Sequence, residues 1–179
     1  MQDILTCAMG LDVHRDIIVA CLVKGAVDAE PEAETRTFST LIPEMQKLRD
    51  WVIEAECRNV AMESTGIYWQ PIYEMLESCF DGEISILVVN ARHMKNVPGR
   101  KTDMKDAQWI ATLLRAGLLK GSFIPDKAFR ELRHLTRYRK SVVHDITAQK
   151  NRIDKFLQSS GFRFTAFLSD TFGASGRNI

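Results

Sequence analysis

The stretch ILTCAMGLDVHRDIIVACLVK, Ile4 to Lys24, decides how the N-terminal part of this chain folds. Ile4 to Asp12 is almost entirely apolar or small and reads as a strand buried on both faces, while Asp16 to Lys24 is a second short run rich in β-branched residues. His14 and Arg15 between them suit a tight hairpin, and Glu34 to Thr40, ETRTFST, alternates as a third strand would. The simplest arrangement is a three-stranded meander. Asp12 breaks the pattern, because an aspartate inside a run that otherwise reads as core is costly to bury as a lone ion and wants a cation.

Further along, Pro43 opens PEMQKLRDWVIEAE, in which Met45, Leu48, Trp51, Val52 and Ala55 recur at helical spacing with an acid in the first turn. A short strand from Asn59 to Glu63 ends in a carboxylate; Thr65 and Gly66 turn the chain, and Pro71 sits near the start of a helix through Leu76. Glu83 to Asn90, EISILVVN, is another strand, followed by a loop and a helix running to Leu119. Three antiparallel strands followed by strands that arrive through helical crossovers describe an α/β domain with a mixed sheet. Beyond Pro125, Phe129, Leu132, Leu135, Val142, Ile146, Ile153 and Phe156 fit one long amphipathic helix of roughly 30 residues, with no glycine or proline until Gly161. The chain therefore divides into residues 1–120, a basic helix over 121–161, and a linker-like segment over 162–179.

Composition narrows the function classes. With 179 residues, 45% of them hydrophobic, the chain buries a real core and is not disordered. Cys7, Cys21, Cys57 and Cys79 are scattered without a CxxC pair, mostly within apolar runs, and read as reduced packing residues rather than zinc ligands. No apolar run approaches the ~20 residues of a membrane span, and no N-terminal stretch has the order of a signal peptide. The net charge of +1 conceals a division: residues 1–90 carry 6 Lys and Arg against 16 Asp and Glu, whereas residues 91–163 carry 17 against 6. A basic half beside an acidic half suggests a polyanion held by one part while carboxylates in the other do something different.

Four acids fall at the ends of elements: Asp12, Glu63, and the pair Asp103 and Asp106, whose i, i+3 spacing puts both on one side of the first turn of the helix that reaches Leu119. Acids at a helix start are ordinary partners of its dipole, so the pair alone says little. Two carboxylates about 4 Å apart repel by roughly 4 kcal/mol at an effective dielectric near 20, so four together require cations. Magnesium, or manganese, suits oxygen ligands. Two such ions about 4 Å apart would activate an attacking oxygen and stabilise the leaving oxygen of a phosphodiester. Arg92, Lys95, Arg100, Lys101 and Lys105 beside them, with Arg130, Arg133, Arg137, Arg139, Lys140, Lys150 and Arg152 on the long helix, are the candidates for holding a nucleic-acid backbone.

The strings GLDVHRDIIVACLV, AMESTGIYWQPIYEML and VVNARHMKNVPGRKTDMKDAQWIATLLRAGLL closely resemble the N-terminal domain of the DEDD transposases of the insertion-sequence 110 family. The likeness runs over nearly the whole chain, and the string from Val89 to Leu119 is its most specific part. The resemblance implies a RuvC-like domain of the ribonuclease H-like fold, with helices on both faces of the mixed sheet and the DEDD acids at Asp12, Glu63, Asp103 and Asp106. It further implies a DNA recombinase of a mobile element in the bacterial or archaeal cytoplasm, guided by a structured non-coding RNA. Such enzymes work as oligomers, here a dimer or tetramer through a coiled coil of the long helix. The family has a C-terminal domain with a nucleophilic serine that no residue here matches, so the expectation is nucleic-acid binding with weak or no cleavage by this chain alone.

Other readings compete. An actin-like ATPase fragment would share the Gly-x-Asp strand and hairpin, but no Gly-rich candidate for a second phosphate loop is present. A coiled-coil RNA- or DNA-binding adaptor without catalysis would use the acids only as helix caps. His14, His93, His134 and His144 do not fall at metal-ligand spacings and read as surface or packing residues; Ser64 and Thr65 read as turn and capping residues. Tyr68 and Trp69 suit either base stacking or packing on the sheet.

Overall fold

The computed structural model describes residues 4–64, 66–90, 106–168 and 170–176. The chain forms two compact units, Met1–Ile124 and Pro125–Ile179. The first is built on a five-stranded sheet of β1 (Cys7–Val13), β2 (Ile17–Lys24), β3 (Glu32–Ser39), β4 (Asn59–Glu63) and β5 (Ser85–Val89), in the order β3-β2-β1-β4-β5. β1 pairs antiparallel with β2, and β2 with β3, while β4 lies parallel to β1 and β5 parallel to β4. The meander and crossovers legible in the sequence are both present, and the arrangement is the mixed-sheet α/β domain that the sequence predicts.

The hairpin follows from local chemistry. The His14 amide donates to the Ile17 carbonyl at 2.9 Å, and Thr40 holds the turn through its hydroxyl, which donates to the Arg15 carbonyl at 2.9 Å. β1 lies in the middle of the sheet, so both of its faces are covered: Ala8, Met9 and Leu11 are fully buried. Met9, Leu11 and Val13 face the larger core with Val60 and Met62 of β4. That core is closed by α1 (Ile42–Glu54), through Met45, Leu48, Trp51 and Val52, and by α2 (Trp69–Glu77), through Ile72 and Leu76. The side chains of α1 recur every three or four residues, so one stripe faces the sheet.

The opposite face carries α3 (Asp106–Arg115). Ala8, Ala61, Ile110 and Leu114 pack together there, as do Cys21, Val23, Ala107 and Ala111. The close approach depends on Gly10: a Cβ at this position would lie 2.1 Å from the Ala107 carbonyl oxygen and 2.4 Å from the Ala111 nitrogen. Only a residue without a side chain lets the helix backbone lie on β1.

The helix expected to reach Leu119 ends at Arg115. Gly117 has φ +67, its amide donates to the Leu114 carbonyl, and the Leu118 amide donates to the Leu113 carbonyl. This is the paired bonding of a Schellman cap, which leaves the helix by a left-handed glycine. Arg115 itself is 1% exposed and ties the unit together: Nε donates to the Leu5 carbonyl at 2.9 Å, while one terminal nitrogen donates to the carbonyls of Gly25 and Ala26.

The second unit is dominated by α4 (Lys127–Ser159), 33 residues long. Asp126 caps its start by accepting from the Phe129 amide at 3.0 Å, and Gly161, with φ +89, closes its end in another Schellman arrangement with Phe162. After it, Phe162 and Phe164 stack at 6.0 Å, and Lys150 lies over the Phe172 ring at 5.4 Å. Among the described residues, no helix is long and apolar enough to cross a membrane.

Candidate functional site

Asp12 is the penultimate residue of β1 and Glu63 the last of β4. The parallel register pairs Met9 with Val60, Gly10 with Ala61 and Leu11 with Met62, so the next step along both strands is Asp12 beside Glu63. Neighbouring strands lie about 5 Å apart and side chains alternate between faces. Both acids therefore share a face with Gly10 and Ala61, the face covered by α3.

The direction of α3 sets a third acid toward the same end of the sheet. Its last residue, Arg115, bonds to Leu5 before the start of β1, and Ala107 and Ala111 lie over Gly10. The helix thus runs opposite to β1, and its first residue, Asp106, lies toward the Asp12 end of the strand. Ends of parallel strands are where open α/β sheets place their sites. Asp106 and Glu63 each make further interactions within the fold. Asp103 lies outside the described residues, as do Arg92, Lys95, Arg100, Lys101 and Lys105.

The Asp12 carboxylate is 16% exposed, and its Oδ2 lies 3.1 Å from His14 Nε2, whose ring is 58% exposed. His14, read in the sequence as a surface or packing residue, is on the surface and also fixes one oxygen of the aspartate. The signal was available in the i, i+2 spacing, which puts both side chains on one side of an extended segment. The donors on this face are carboxylate oxygens, the set that hard divalent cations take. Among the described residues, no three His, Cys, Asp or Glu side chains come close enough together to hold a metal ion.

The neighbouring loop separates two aromatic residues that the sequence treats alike. Trp69 packs edge-on against Tyr73 with ring centroids 5.7 Å apart and joins the larger core, whereas Tyr68 is 39% exposed. Ser64 donates its amide to the Val89 carbonyl at 2.9 Å, in keeping with a turn role, and Thr65 lies outside the described residues.

On α4, Arg133, Arg137, Arg139, Lys140 and Arg152 are exposed. Arg130 differs: it is 9% exposed, and Nη1 donates to the Pro125 carbonyl at 2.8 Å, so it stabilises the start of its own helix. Lys150 is half-buried over Phe172. The seam formed by Leu132, Leu135, Val142, Ile146, Ile153 and Phe156 is exposed along its whole length, with Leu135 at 67% and Phe156 at 70%.

Comparison with known proteins places this geometry in context. Two solved structures of Thermus thermophilus RuvC are similar to the chain at 13% identity and a TM-score of 0.43 each. One is a structure of RuvC, covering 65% of this chain and 99% of that one; the other is RuvC in complex with a Holliday junction substrate, covering 66% and 100%. No curated protein matches. The family model for DEDD transposases of insertion sequence 110, described as "Transposase", matches residues 9–161 and so includes β1 from Met9 onward, the other four strands, α3 and all of α4. This chain belongs to the DEDD transposase family of insertion sequence 110.

Proposed function

We propose that the first unit supplies the metal-dependent acidic site of a DNA transposase or recombinase, and that the second unit binds nucleic acid and a second copy of the chain. Asp12, Glu63, Asp103 and Asp106 would hold two Mg2+ or Mn2+ ions. The observation that carries this reading is the register of β1 and β4: it sets Asp12 beside Glu63 on the face where α3, beginning at Asp106, lies against Gly10.

Bound divalent ions would neutralise the clustered carboxylates and activate an oxygen for attack on a phosphodiester. The protein's own part is positioning. β1 and β4 present two carboxylates from rigid neighbouring strands, Gly10 allows α3 to lie against β1 with its N-terminus toward the same end of the sheet, and His14 restrains Asp12. Fixing reacting groups in this way removes orientational freedom before reaction. The basic residues other than Arg130 would hold the backbone of DNA and of a structured guide RNA without reading sequence. The exposed α4 residues Leu132, Leu135, Val142, Ile146, Ile153 and Phe156 follow alternating spacings of three and four, with Arg139 and Gln149 at the two intervening seam positions, which is the pattern of a coiled coil.

The test is to purify the chain with its co-expressed nucleic acid, sequence what accompanies it, and assay binding and nicking of junction and duplex DNA in Mg2+ and in chelator. Metal-dependent engagement of DNA that Asp12→Asn removes supports the reading. RNA binding that is unchanged by chelator and by Asp12→Asn would favour a non-catalytic adaptor instead.

A further inference from the structure

The end of the sheet opposite the acids holds a cluster that the proposed reaction does not use. Cys7 opens β1, and Cys57 sits in the turn between α1 and β4. The register that sets Met9 beside Val60 brings both residues to the same end of the neighbouring strands, and Cys7 packs against the core cluster that contains Cys57. Asn59 bridges the same two residues: its Nδ2 donates to the Cys7 carbonyl at 3.3 Å, and its own carbonyl accepts from Cys57 Sγ at 3.3 Å. Lys24 is the antiparallel partner of Cys7, and its Nζ donates to the Ala55 carbonyl at 3.4 Å, which keeps the ammonium beside the pair.

We propose that Cys7 and Cys57 are an oxidisable pair that closes to a disulfide when the protein meets hydrogen peroxide. The two thiols have unequal roles. The neighbouring Cys57 and the charge of Lys24 outweigh the effect of burial and lower the Cys7 thiol to about 7, whereas the neighbouring Cys7 and burial push Cys57 up. Cys7 is partly exposed and Cys57 fully buried. Cys7 is thus the nucleophile that meets the oxidant, and Cys57 resolves from inside.

The Cys7 thiolate attacks one peroxide oxygen: an S–O bond forms, the O–O bond breaks, and the departing hydroxide takes up a proton as water. The Cys57 sulfur then attacks the sulfenic sulfur; the S–S bond forms, the S–O bond breaks, and hydroxide leaves with the Cys57 proton as a second water. Two thiols are oxidised by two electrons, and one peroxide is reduced to two waters. The bridge would join the N-terminal ends of β1 and β4 while Asp12 and Glu63 stand at their other ends, so it leaves the acids free.

The full chain is treated with hydrogen peroxide at neutral pH, quenched, unfolded, alkylated and mapped by mass spectrometry. The result expected is an intact mass lower by two hydrogens, a peptide linking Cys7 to Cys57, and alkylation retained only at Cys21 and Cys79. Cys57→Ser should accumulate a Cys7 sulfenic acid trapped by a dimedone-type reagent, and Cys7→Ser should leave Cys57 unoxidised. Four alkylatable thiols after treatment of the wild-type chain, or bridges that include Cys21 or Cys79 as readily, would overturn the proposal.

Discussion

Leu48 and Leu135 are the same residue on the apolar stripes of two helices, yet Leu48 is fully buried beneath the sheet and Leu135 is 67% exposed. α1 finds its partner surface within its own unit. The seam of α4 has no cover among the described residues, although its spacing is as regular. Burying an aliphatic side chain stabilises by roughly 1.5–3 kcal/mol, so the first unit gains this within one chain and the second would gain it by association. Apolar periodicity alone states that a face wants burial; whether the partner lies in the same chain depends on which elements remain to cover it.

The comparison can be broken most strongly at Arg115. Replacing it with alanine leaves the carbonyls of Leu5, Gly25 and Ala26 without its guanidinium and should cost about 4 kcal/mol, seen in urea unfolding of the first unit as a large fall in midpoint. Gly10→Ala should cost about 3 kcal/mol, because the new methyl meets the α3 backbone. The same substitution should weaken any metal binding that depends on Asp106, which separates it from a loss of packing alone.

The two leucines form the sharpest pair. Leu48→Ala should destabilise by about 3 kcal/mol, and Leu135→Ala by less than about 0.5 kcal/mol in the monomer. Sedimentation should reverse the order, with Leu135→Ala or Ile146→Ala shifting self-association to higher protein concentration and Leu48→Ala leaving it unchanged where the fold persists. The smallest effect is expected at Arg36, whose guanidinium lies 4.3 Å over the Trp51 ring. Arg36→Ala should lower stability by about 0.5–1 kcal/mol in the same urea titration.

The elements that were legible are those whose patterns are local. The buried run of β1, the β-branched run of β2, the alternation of β3 and the stripe of α1 each declare themselves within a few residues. The end of α3 is hidden because Gly117 looks, in sequence, like one glycine in an apolar helix, and only its positive φ shows the cap. Arg115 was unreadable for another reason: its acceptors lie about 90 and 110 residues away in the chain. Its burial is a tertiary fact. Likewise, Gly10 is a small residue in a strand until α3 is laid across it.

At the site, Asp12 stood out because a carboxylate interrupted an apolar strand, and Glu63 because it closed one. The sequence gives no register, so their adjacency waited for the pairing of β1 with β4. The His14 contact and the burial of Arg130 against Pro125 are settled by side-chain direction, which spacing constrains only loosely.

The most direct test of the central claim is calorimetric titration of the intact chain with Mn2+, run beside an Asp12→Asn variant whose circular dichroism and unfolding midpoint match the wild type. The account predicts saturable binding by the wild-type chain and at least a tenfold loss of affinity in the variant. Equal Mn2+ affinity in the two proteins, or no binding by a folded wild-type chain saturated with DNA, would contradict it.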